Sequence, residues 1–224
     1  MEKVKSELLL KTVCLYLVYF LYTYYQGNIC SWFPMIDGQV IKMILDIIFL
    51  LFMVFIYRSV LKEKYQDIKK NYSVSKLIMT VVFGFLGIIV ANVFSSFLIN
   101  ILFPNSTIDQ NTMAIQNMAN INFVYTAFKT MCFSIVAEEL LFRESLSKCV
   151  DNNILFVLIS AIVYTAMNFV FTTESIDFIQ LLAYFLPALV FSTIYIKTER
   201  NIIIVMLVKF VYNLIPFTIL LLGL

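Results

Sequence analysis

Seven apolar stretches, each close to the ~20 residues needed to cross a ~30 Å hydrocarbon layer, divide this chain from end to end. They fall at roughly 8–26, 39–58, 77–103, 121–147, 154–172, 178–196 and 202–222. In lipid, every backbone N–H and C=O needs a partner inside its own helix or in a closed barrel, so single stretches of this length fold as helices. The sequence therefore predicts an all-α, polytopic membrane protein of about seven transmembrane helices in one bundle. The 224 residues are 62% hydrophobic and 13% charged, which leaves no room for a separate soluble domain. A net charge of +2 without a basic tail argues against nucleic acid as a partner and leaves the lipid bilayer as the first one.

The first stretch has no small-residue cleavage site behind it and reads as a retained helix. Cys14, Cys30, Cys132 and Cys149 are scattered without a Cys-x-x-Cys pair, so neither a disulfide framework nor a metal site is expected, and nothing implies a cofactor.

Basic residues alternate along the connections. Lys3 and Lys5 precede the first stretch, Arg58, Lys62, Lys64, Lys69, Lys70 and Lys76 occupy 58–76, Arg143 and Lys148 end the fourth stretch, and Lys197 and Arg200 precede the seventh. Connections 27–38, 105–120 and 172–177 hold no Lys or Arg. The pattern predicts a cytoplasmic N-terminus and an outside C-terminus. Abundant Ile, Lys and Asn suggest an AT-rich bacterial genome, hence a bacterial plasma membrane. There the glycosylation-type triplet Asn105-Ser106-Thr107 would be idle. In the second stretch Lys42 and Asp46, at i and i+4, are expected to pair with each other. Lys129 is expected to meet lipid headgroups or its own helix.

Three places in the second half carry polar residues at helical spacing. In Glu138-Glu139-Leu140-Leu141-Phe142-Arg143, Glu139 and Arg143 stand at i and i+4 and can pair. Glu138 is rotated by about 100° from Glu139 and faces elsewhere. A carboxylate pointing into a low-dielectric bundle is a candidate general base, while a charged helix end is the plainer reading. In the fifth stretch Tyr164 is followed four residues later by Asn168, a candidate for an interhelical hydrogen bond. In the seventh, Lys209 and Asn213 share a helix face. A lysine at that depth calls for a carboxylate, and Glu138 is the obvious one.

These three motifs, in this order, resemble the CAAX-protease and bacteriocin-processing (CPBP, Abi-type) family of intramembrane endopeptidases. The resemblance covers about residues 120–220, and residues 1–119 carry no matching motif. One integrated membrane domain is expected, with N-terminal helices at 1–119 and a motif-bearing core at 120–222. The resemblance implies that Glu138 activates water, that Glu139 and Arg143 organise the helix, and that Asn213 helps hold the scissile carbonyl. It also implies a histidine in each of two later helices. This chain has no histidine at all, and Asn168 and Lys209 stand at those two positions. Asparagine cannot take a proton near neutral pH. A carboxylate committed to Lys209 is likewise not available to water. The expectation is a degenerate member, a pseudoprotease that binds a membrane-associated peptide or protein partner, for example in bacteriocin self-immunity. The alternative is an active glutamate-dependent endopeptidase acting on CAAX-type or bacteriocin-like peptides. Either way, Glu138, Asn168 and Lys209 are expected to converge toward the cytoplasmic half of the bundle.

Overall fold

The computed structural model describes residues 2–102, 122–170 and 181–222, which form seven helices and, among the described residues, no strand. They are α1 (Glu2–Ser31), α2 (Gly38–Asn71), α3 (Val74–Leu102), α4, α5 (Asn153–Val170), α6 (Leu181–Lys197) and α7 (Ile202–Leu222). Helix α4 joins an α-helical start, Phe123–Phe128, to two π-helical stretches, Lys129–Glu138 and Leu140–Ser145. The all-α fold read from the apolar stretches is the fold found. The connections read at 105–120 and 172–177, with the triplet Asn105-Ser106-Thr107, lie outside the described residues.

The solvation of the bundle is inside out. Large apolar side chains such as Leu10, Phe83 and Val90 are exposed, while Asp46, Glu139, Arg143 and Lys209 are buried. Lipid covers such an outer surface at no cost, and the ionisable groups retreat to the interior where they can pair. Three helices, Glu7–Ser31, Gly38–Asn71 and Val74–Leu102, are long and apolar enough to cross a membrane, and the other apolar helices are shorter. The protein is an integral membrane protein.

Helix α4 runs against α1, α2 and α7. Tyr16 and Tyr19 of α1 pack edge-on against Phe142, at 5.8 and 5.9 Å. The same face of α1 also reaches two backbone carbonyls near the end of α4. Thr12 donates to Ser145 O at 3.1 Å and Tyr16 to Leu141 O at 3.1 Å. Gly84 sets the approach of α3 to α7, since a Cβ there would lie 2.9 Å from Val208.

Two sequence expectations change. The charged run at 58–76 is not an irregular connection, because α2 continues through it to Asn71. Hydropathy marks where a chain leaves lipid, not where a helix ends. Residues 59–71 contain neither Gly nor Pro, and four of the thirteen are Lys, so nothing stops the helix. Asp46, in turn, does not pair with Lys42 but reaches across the bundle to Lys129, at 3.0 Å.

The basic connections meet at one end of the bundle. Glu199 and Arg200 adopt left-handed backbone (φ 55° and 57°) in the tight reversal from α6 to α7. The Arg200 guanidinium donates to Ser147 O at 2.9 Å and Asn153 Oδ1 at 3.1 Å. Asn201 donates to Lys64 O at 3.1 Å and Asp67 Oδ2 at 2.9 Å. These bonds offset the strain of two non-glycine residues at positive φ.

Candidate active site

Helix α4 presents Glu138 and Glu139 side by side to α7, and its π-helical geometry is the reason. In an α-helix neighbours diverge by about 100°. A π-helix places more residues in each turn, so consecutive side chains diverge less. Lys209 of α7 exploits this. Its Nζ donates to Glu138 Oε2 at 3.0 Å, to Glu139 Oε1 at 2.8 Å and to Ser134 O at 3.0 Å. An ammonium has three N–H donors, so all of its capacity is taken.

Arg143 completes a balanced set of two anions and two cations. Its Nη1 donates to Glu139 Oε1 at 3.0 Å, the i and i+4 pair expected from the sequence. The guanidinium is fully buried and faces the rings of Tyr164 at 4.9 Å and Phe191 at 5.6 Å. Aromatic faces stabilise a cation that no water reaches. Ser134 donates to Glu138 Oε2 at 3.1 Å, so this oxygen accepts from both Ser134 and Lys209.

A cavity of about 300 Å³ lies beside this cluster, lined by residues of α3 to α7. Glu138 and Lys209 are on its wall, as are Asn168, Asn213 and Lys129, whereas Glu139 and Arg143 lie buried behind it. Asn213 donates to Thr130 O at 2.7 Å, which ties α7 to α4. Among the described residues Asn168 makes no interhelical link: its amide donates to Tyr164 O of its own helix at 2.8 Å. Nor do all three motif positions sit in one half of the bundle. Counting helical rise from the basic end, Lys209 lies about 10 Å in and Asn168 about 22 Å in. They line one cavity at different depths.

A second buried set, not evident in the sequence, lies beside the cavity. Asp46 is fully buried on α2. Oδ1 accepts from the hydroxyl of Tyr22 and from Gln26 Nε2 (3.1 Å), both of α1. Oδ2 accepts from Tyr125 (3.1 Å) and Lys129 (3.0 Å), both of α4. The signal available was a lone acidic residue inside an apolar stretch, which demands a partner. Its identity was out of reach, since that partner is 83 residues away.

Residues 120–215 match the family described as Rce1-like, type II CAAX prenyl endopeptidase Rce1-like. The three motifs lie within the matched residues, so this part of the chain is similar to a CAAX-protease-like membrane endopeptidase family. No curated protein and no solved structure matches the chain.

Proposed function

We propose that this protein is a degenerate, non-hydrolytic relative of the CAAX-type endopeptidases. In this reading it keeps the intramembrane cavity and uses it to bind a membrane-associated peptide or protein partner, with self-immunity to a bacteriocin-like peptide as the model role. The observation that carries the reading is Lys209, whose ammonium stands 3.0 Å from Glu138 and 2.8 Å from Glu139. A glutamate that activates water needs a carboxylate not already committed to a cation, and a nearby group that shuttles protons. Here the oxygen of Glu138 that meets Lys209 also accepts from Ser134, and Asn168 cannot carry a proton. Loss of a general acid or base costs on the order of 10²–10⁴ in rate, and two such positions are changed.

One observation favours the alternative of a glutamate-dependent endopeptidase: Glu138 still borders the cavity, with 16% of its side chain exposed. A cleavage assay on farnesylated and bacteriocin-leader peptides separates the two. The native chain is expected to be inert, and the double variant Asn168→His/Lys209→His to gain activity. Native cleavage that disappears in Glu138→Ala would sink the non-hydrolytic reading.

The same proposal places the protein in a bacterial plasma membrane with its N-terminus in the cytoplasm. Its support is that the basic connections gather at one end of the bundle, joined through Arg200 and Asn201. With single cysteines in a cysteine-free background, Ile36→Cys is expected to react with an impermeant thiol reagent in intact cells and Lys69→Cys to stay silent. The opposite pattern inverts the orientation.

A further inference from the structure

We infer that Lys129, held by Asp46, is the cavity's binding cation, and that it takes the anionic headgroup of a single-chain amphiphile, a carboxylate or a phosphate. The inference rests on reading the cavity as a binding site, and it names the class of ligand.

Two lysines line the cavity, and only one can serve a ligand. Lys209 is 5% exposed and its three N–H groups end on Ser134, Glu138 and Glu139. Lys129 keeps 30% of its side chain exposed, and among the described residues its one hydrogen-bond acceptor is Asp46. Two of its three donors therefore remain for an acceptor in the cavity. Asp46 does not depend on Lys129 alone, because Tyr22, Gln26 and Tyr125 also donate to it. The carboxylate is a fixed, buried anchor with two donors on each oxygen, and the ring of Phe133, 4.2 Å from Nζ, restrains the ammonium further.

The remaining polar wall also offers donors. The Tyr212 hydroxyl accepts from Asn92 Nδ2 at 2.7 Å, which leaves its own proton to give. The carboxylate on the wall, Glu138, is already matched by Lys209. A site with donors to spare and its acid spent selects an acceptor, and an anion above all. Pro187 and Phe217 line the same cavity and offer an apolar surface to the first methylenes of a chain. About 300 Å³ accommodates a headgroup of this size.

Thermal unfolding of the purified full-length protein in a non-ionic detergent tests this, with oleate, lysophosphatidylglycerol and neutral monoolein as probes. Acetate and inorganic phosphate are the controls for a free anion. Near-saturating oleate or lysophosphatidylglycerol is expected to raise the native midpoint by roughly 5 °C. Whichever of the two acts more strongly identifies the headgroup as carboxylate or phosphate, and both results support the inference. Lys129→Gln is expected to lose the shift. Because that variant leaves Asp46 without its cation, Asp46→Asn/Lys129→Gln is measured beside it, and it too should fold and show no shift. An equal shift with monoolein, an equal shift with acetate or inorganic phosphate, no shift in the native protein, or a shift that persists in the double variant overturns the inference. None of these outcomes depends on peptide cleavage, so failure here is distinct from failure of the non-hydrolytic reading.

Discussion

Two lysine–carboxylate sites lie in the same bundle, and they are built on opposite principles. At the first, Lys209 is the hub: two carboxylates and a carbonyl converge on one ammonium, and all of its donors are spent. At the second, the carboxylate is the hub, and Asp46 gathers two tyrosines, a glutamine amide and Lys129. The nearly buried lysine of the first site fixes structure, while the more exposed lysine of the second keeps donors free. Burial explains the split. An ammonium with little access to water draws its hydrogen bonds from the protein, whereas a more exposed one need not.

The comparison breaks most visibly at Lys209. Lys209→Met leaves Glu138 and Glu139 close together with Arg143 as the remaining cation. Uncompensated buried charge of this kind costs about 3–5 kcal/mol. The expected result is a strong drop in thermal midpoint and in the amount of folded protein in membranes. Glu138→Gln/Lys209→Met should recover much of the loss, because the Glu139–Arg143 pair at 3.0 Å then stands alone and balanced. A single variant as stable as the native chain would show that Lys209 is not the hub. A double variant no better than the single would show that the carboxylates do not compete for it.

How much of this was legible depended on distance along the chain. The apolar stretches gave the helices, since length and hydropathy are local properties. Glu139–Arg143 was readable because i and i+4 are neighbours on one helix. The partnership of Glu138 with Lys209 followed from depth, because a buried lysine requires an acid and few were available. That Glu139 would share the same lysine was not readable. It depends on the π-helical path of α4, and no Gly or Pro announces that geometry. Asp46 pairs with Lys129 and not with Lys42 for a related reason. Spacing on one helix proposed the nearer cation, and packing against α4 supplied the farther one. The motif-free first half therefore contributes a charged anchor to the cavity of the motif-bearing half, which no local pattern in 1–119 could state.

The finest distinction between the two hubs is made by Asp46→Asn. If the carboxylate were a sealed ionic partner, as Glu139 is to Arg143 and Lys209, neutralising it would strand a buried cation and cost several kcal/mol. Lys129 is not sealed, however, and with 30% of its side chain exposed it can turn its ammonium toward the cavity. The asparagine oxygen still accepts, and its amide nitrogen can donate to a tyrosine hydroxyl, so Tyr22 and Tyr125 keep a partner. The expected penalty is about 1 kcal/mol, the scale of one hydrogen bond exchanged for a weaker one. Unfolding midpoints for Asp46→Asn and Lys209→Met, measured in the same detergent, should differ clearly, with Asp46→Asn near the native value. Equal losses in the two variants would mean that both sites are structural ion pairs of the same kind, and that Lys129 has no charge to spare for the cavity.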